Sequence, residues 1–249
     1  MIATIQLTAK KELDIQFFTN HIFSLFLGTL AGTKLLYWLV NIGTLYDNIQ
    51  VKIERNGLFD WDTATGIFKL LFNIDQFYVM GGALAFGGLF LLYAKRHKQP
   101  LLPWMDVIIP AFSIALFFGM IGSFLGGYYV GIPTDSFLGV RFSGDQLYSH
   151  ATFLYAVPIH PIQLYISATS LITFGILMEI LKKVKVSGVT GVLGLFLLSL
   201  SSFLLEFLRS GDDTVVPFGA IFHLNQYIAF LGIALSIYLF TKKVPRIVG

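Results

Sequence analysis

The chain has 249 residues, of which 55% are hydrophobic and only 12% charged, with mean hydropathy +0.75 and no cysteine. A soluble domain carries about 25% charged residues, so this balance excludes a soluble domain, a disordered chain and a nucleic-acid binder. The missing cysteines exclude a disulfide scaffold. The net charge of +3 then raises one question, namely where the charges sit relative to a bilayer.

A membrane-crossing helix needs about 20 mostly apolar residues. Six stretches meet that length, at about 17–40, 77–94, 107–128, 161–181, 188–207 and 222–240. Glycines fall inside them, as at Gly81, Gly82, Gly119 and Gly122, and small residues let membrane helices approach closely. The strand alternation of a membrane β-barrel is absent. The sequence therefore predicts an all-α integral membrane protein of about six transmembrane helices, forming a single polytopic domain over residues 1–249.

Four basic clusters set the expected topology. They are Lys10 and Lys11, then Lys95, Arg96 and Lys98, then Lys182, Lys183 and Lys185, then Lys242, Lys243 and Arg246. With six spans all four fall on one side, which the positive-inside rule makes cytoplasmic, and both termini lie there. Asp47, Asp60, Asp62, Asp75, Asp135, Asp145, Asp212 and Asp213 fall opposite. Two segments are expected on that outer side. Residues about 43–74 form an arm whose apolar positions 67, 68, 71 and 72 suit a short interfacial helix. Residues about 129–160 form an extracytoplasmic head. The N-terminus lacks the short apolar core and small-residue cleavage site of a signal peptide.

Few ionisable groups lie at membrane depth. Lys34, inside the first span, either snorkels to the interface or meets an anionic lipid headgroup. Glu206 and Arg209 are three apart on one helix face, so they can pair, either closing the helix end or forming a charged cavity wall. Arg141 and His160 flank the head, as solvated loop residues or as binding and proton-transfer groups. Gln163 and Tyr165 anchor one helix end or join a site. The histidines lack metal-ligand spacing, and no Walker loop or nucleophile elbow is present, so no metal or cofactor is expected.

The run Gly119-Met120-Ile121-Gly122-Ser123-Phe124-Leu125-Gly126-Gly127-Tyr128-Tyr129-Val130-Gly131-Ile132-Pro133-Thr134-Asp135 resembles the signature GRIGNFxNGExxGxPTD of the prolipoprotein diacylglyceryl transferases. Other pieces follow in the family's order. They are Gly32-Thr33-Lys34-Leu35-Leu36-Tyr37, then Gly81-Gly82 through Gly87-Gly88, then Asp106 and Pro110, then His160-Pro161-Ile162-Gln163-Leu164-Tyr165, then Glu206-Phe207-Leu208-Arg209 with Asp212 behind.

The resemblance implies a multi-pass enzyme of the bacterial plasma membrane. Such an enzyme moves a diacylglyceryl group from phosphatidylglycerol to the cysteine thiol of a lipobox-containing preprolipoprotein. It implies His160, Glu206 and Arg209 as catalytic groups, and Lys34, Arg141, Gln163 and Tyr165 as substrate-binding groups. The chain departs from the signature at several points. Met120 stands for the signature Arg, Ser123 and Gly126 for the two Asn, Tyr128 for the Glu, and Ser202 for a further Arg. Either Phe86 or Met80 stands at the family's histidine. These departures leave two readings, an active transferase or a catalytically degenerate scaffold that binds lipid or a partner. A transporter is a third, disfavoured by the scarcity of polar residues at mid-membrane.

Overall fold

A computed structural model describes residues 13–57, 59–72, 78–142, 157–210 and 222–244. Lys10, Lys11, Asp75, Phe77, Asp145, His150, Asp212, Asp213 and Arg246 lie outside the described residues. Among the described residues there are eight α-helices: α1 Ile15–Val40, α2 Ile42–Asn56, α3 Trp61–Phe72, α4 Val79–Arg96, α5 Leu101–Leu125, α6 Ile162–Lys183, α7 Val189–Leu205 and α8 Leu224–Lys242. A single 3-10 turn, Glu206–Leu208, extends α7.

Among the described residues, five helices are long and apolar enough to cross a membrane, namely Ile15–Val40, Leu101–Leu125, Ile162–Lys183, Val189–Leu208 and Leu224–Lys242. The protein is an all-α, multi-pass membrane protein. The expected second span corresponds to α4, which has 18 residues and ends on Lys95 and Arg96. Those two charges shorten its apolar length, so α4 is not among the five.

The chain divides into two units, residues 16–99 and residues 1–15 with 100–249. In the smaller unit, α1 and α4 touch backbone to backbone. A Cβ on Gly32 would lie 2.6 Å from the Gly81 carbonyl oxygen, so no side chain fits that crossing. At one end of this pair, the His21 ring packs tilted against Tyr93 and edge-on against His97, with ring centroids 4.5 and 4.8 Å apart. The expected arm holds two helices where one was predicted. The second helix is α2, whose polar residues Asn48, Gln50, Lys52, Glu54 and Arg55 accompany a buried Leu45. Trp38 ties α1 to α3 by donating from Nε1 to the Leu71 carbonyl at 3.0 Å.

In the larger unit, α5, α6, α7 and α8 pack as a bundle. Its helices are joined by polar groups as well as apolar ones. The Ser167 hydroxyl donates to the Phe117 carbonyl at 3.0 Å, and Gln226 Nε2 to the Phe203 carbonyl at 3.5 Å. Asp106 makes the strongest such link. It is fully buried on α5, and its two oxygens accept the backbone N–H of Gly188 at 2.8 Å and of Gly191 at 2.7 Å. Gly188 is the N-cap of α7 and has no side chain to satisfy the first turn, so a carboxylate from another helix does it. An anion there also faces the positive end of the helix dipole.

Asp106→Ala strands two buried N–H groups. It is expected to destabilise the bundle by about 2–3 kcal/mol, measured as detergent-solubilised unfolding. Asp106→Asn keeps one acceptor and is expected to fall between. An unchanged melting midpoint in Asp106→Ala would contradict the assignment.

Candidate functional site

Three stretches of the larger unit meet at one end of the bundle, where α5 and α7 end and α6 and α8 begin. The first follows α5. Its backbone turns at Gly127 (φ +68) and Tyr129 (φ +59), and the second is a left-handed conformation that ordinary side chains rarely adopt. Residues beyond it pair with two other segments. The Ser210 N–H donates to the Val130 carbonyl at 3.0 Å, the Ile132 N–H to Leu208 at 2.9 Å, and the His160 N–H to Ile132 at 3.0 Å. The Val140 and Ile159 backbones exchange bonds of 3.0 Å. Val130, Phe142 and Ile159 form a small core beneath these bridges. Gly131 is required by closeness, since a Cβ there would meet the His160 carbonyl and sit 2.9 Å from its Cβ.

Side chains hold the turn from both sides. Gln163, fully buried at the start of α6, donates its amide to the Tyr128 carbonyl, and Ser123 donates its hydroxyl to the same oxygen at 3.3 Å. On the other side the Tyr129 hydroxyl donates to Glu206 Oε2 at 2.7 Å. Glu206, 3% exposed, collects further donors on Oε1. Arg209 Nη1 and Asn225 Nδ2 each donate at 3.0 Å, while His223 Nδ1, at 3.8 Å, stands close without a hydrogen bond. The Arg209 guanidinium also stacks on the Tyr129 ring, 4.0 Å from its centroid. Arg209 is thus fixed on two faces, by a carboxylate edge-on and an aromatic ring face-on.

The structure brings the predicted residues together in part. Glu206 and Arg209 pair as their spacing suggested. His160 and Tyr165 form a second pair, His160 Nδ1 to the phenol oxygen at 3.2 Å, with Gln163 between them in sequence. The two groups are linked through the turn, since Gln163 holds Tyr128 and Glu206 holds Tyr129. Arg141 is exposed at the edge of the head. Lys34 belongs to the smaller unit, where it is 7% exposed and 5.0 Å from the Tyr37 ring centroid. Phe86, one of the two candidates for the family's histidine position, stacks on Phe90 at 6.2 Å.

Sequence reasoning missed Tyr129, His223 and Asn225. Tyr129 lies 77 residues from Glu206, and Asn225 lies 19 away. The polar pair His223 and Asn225, at the start of the last apolar span, was the one available signal.

Burial pushes the Tyr129 phenol well above its ordinary value of 10.0; the Arg209 charge opposes this and the Glu206 carboxylate adds to it. A phenol whose folded value is raised contributes stability that is intact below pH 10 and is lost as pH climbs toward the folded value. Wild type should therefore lose stability above that pH more steeply than Tyr129→Phe, which has no proton to lose. Parallel loss in both proteins, followed by thermal unfolding across alkaline pH, would count against a buried protonated phenol.

The chain was compared with known proteins. A family model described as prolipoprotein diacylglyceryl transferase matches residues 1–242. A Clostridium tetani protein named phosphatidylglycerol–prolipoprotein diacylglyceryl transferase is 26% identical over 247 residues, spanning 96% of this chain and 88% of that one. A Geobacter sulfurreducens protein of the same name is 26% identical over 235 residues, 90% of this chain and 78% of the relative. One from Rickettsia bellii is 32% identical over 173 residues, 67% of this chain and 61% of the relative. A match over nearly the whole length, on a bundle of apolar helices bearing the signature turn, means that this chain belongs to the prolipoprotein diacylglyceryl transferase family.

Proposed function

We propose that this chain is an active member of its family in the bacterial plasma membrane. It moves the diacylglyceryl group of phosphatidylglycerol onto the cysteine thiol of a lipobox-containing preprolipoprotein, and the headgroup departs as glycerol phosphate. The observation that carries this reading is the buried Glu206–Arg209 pair stacked on Tyr129. Transfer develops negative charge on the departing phosphate, and a preorganised guanidinium offers two N–H donors to such an anion. Arg209 is the phosphate-binding cation. Glu206 acts through Arg209, because both its oxygens already accept hydrogen bonds. Arg141, exposed at the edge of the head, supplies further positive charge toward the lipid headgroup. His160, Gln163 and Tyr165 line the acceptor side of the head, and the head faces the extracytoplasmic surface.

A second reading has its own support. Met120, Tyr128 and Ser202 are uncharged where the family carries Arg, Glu and a further Arg, and Ser123 and Gly126 replace its two Asn amides. That pattern suits a scaffold which binds phosphatidylglycerol, or a partner, without turning it over.

The purified full chain, reconstituted in phosphatidylglycerol vesicles with a synthetic lipobox peptide, should add one diacylglyceryl mass to the peptide thiol. Arg209→Lys keeps the charge but loses the planar fork, and should lower kcat by about 100-fold. A wild-type chain that binds the lipid but never modifies the peptide overturns the transferase reading and leaves the second.

A further inference from the structure

The transfer consumes a thiol, so a group must accept the thiol proton. At the family's histidine position this chain carries Phe86 or Met80, and neither side chain accepts a proton. Glu206 is occupied, with Tyr129 on one oxygen and Arg209 and Asn225 on the other. His160 faces a phenol rather than a carboxylate.

We infer that His223 is the proton acceptor for the incoming thiol, oriented by Glu206 and Asn225. The inference rests on the transferase reading above. His223 is the N-cap of α8, in extended conformation (φ −70, ψ 153). Its backbone N–H donates to Gln226 Oε1 at 2.9 Å, and Gln226 is itself 2% exposed, so the position of the ring's backbone is anchored in the bundle. Two residues on, Asn225 Nδ2 reaches the same Glu206 oxygen that faces His223 Nδ1. One short segment thus brings both an amide and an imidazole to one buried carboxylate. The ring has two distinct edges. Nδ1 is buried and faces Glu206 at 3.8 Å, while the side chain as a whole is 23% exposed. The exposed surface therefore lies on the rest of the ring, away from Nδ1.

Phe222, next to His223, packs against Phe203 and Phe207 with centroids 5.8 and 6.2 Å apart, which gives the site an apolar wall. Among the described residues, Glu206 at the end of α7 faces His223, and Arg209 and Tyr129 reach His223's side of the site only through that carboxylate. Glu206 is the nearest, and the ion pair with it exists once His223 carries a proton.

The step balances as follows. The thiol proton passes to Nε2. The thiolate sulfur attacks the glyceryl carbon bonded to the phosphate oxygen, and a C–S bond forms. The C–O bond breaks, its electron pair leaves on the phosphate oxygen, and glycerol phosphate departs beside Arg209. The imidazolium charge is held opposite Glu206 until the proton passes to solvent.

The test uses the full chain in phosphatidylglycerol vesicles with two acceptor peptides, one with the lipobox cysteine and one with selenocysteine in its place. A selenol is already ionised at neutral pH and needs no base. Wild type must first modify the cysteine peptide; its failure sinks the transferase reading, and this inference with it. Given that activity, His223→Gln should lower kcat on the cysteine peptide by about 100-fold or more, with KM little changed. On the selenocysteine peptide the same variant should come within about fivefold of wild type, because the missing step is bypassed. His97→Gln, at an exposed histidine outside the site, should behave as wild type. Two results overturn the inference while leaving the enzyme intact. One is a His223→Gln protein that keeps about one-third or more of kcat on the thiol. The other is an equal loss on both acceptors, which marks a structural role.

Discussion

The end of the bundle is organised by one buried carboxylate. Glu206 sits 3% exposed among apolar helices, where an unpaired charge is not tolerated. It is stable because donors converge on it from three separate parts of the chain: Tyr129 from the head turn, Arg209 just after the 3-10 turn, and Asn225 from the start of α8, with His223 close by at 3.8 Å. The same contacts that satisfy the charge fix how those three segments meet. A buried pair of this kind adds little net stability relative to apolar packing, but breaking one partner costs about 3–5 kcal/mol. It therefore acts mainly on specificity, permitting one arrangement of the head and penalising others.

The opposite end follows the same logic with a different charge. Asp106 is buried on α5 and is satisfied by backbone N–H groups of α7. Asp106 and Glu206 thus pin α7 near its two ends, one through the helix start and one through the turn that closes it. Between them the packing is done by small and hydroxyl residues such as Ser113, Ser167, Ser170 and Gly194, which suit close helix approach in lipid. A bundle with few charged groups can thus still fix both ends of one helix.

The spans were legible because a run of about 20 apolar residues has few other readings. The Glu206–Arg209 pair was legible because a spacing of three puts two residues on one helix face. The helix α2 was also present in the sequence, as Ile42, Leu45, Ile49 and Ile53 at helical spacing, but the polar residues between them dilute that apolar pattern. Tyr129, His223 and Asn225 were not legible, for a physical reason. Their role depends on contacts between distant segments, and no local period records a contact made 77 residues away. The single charge Asp106 was noticed only as a landmark of the family pattern. Its partners are backbone groups, which a sequence does not name.

The departures from the family signature are connected rather than scattered. A Cβ added at Gly126 would lie 2.8 Å from the ring of Tyr128, so a longer side chain at 126 requires that ring to move. Gly126 and Tyr128, which stand where the signature has Asn and Glu, therefore fit one another as a pair. Ser123, at the other signature Asn, spends its hydroxyl on the Tyr128 carbonyl alongside Gln163. The turn is thus held by its own backbone acceptor, and the polar side chains that the signature places there have no anion left to address. The polar groups of the site gather instead across the turn, where Tyr129, Arg209, His223 and Asn225 surround Glu206. An arginine fixed by a carboxylate and a ring has less rotamer freedom to lose when an anion arrives. Under the function proposed here, that restraint lets one preorganised cation do work that a looser set of several would share in a chain so poor in charge.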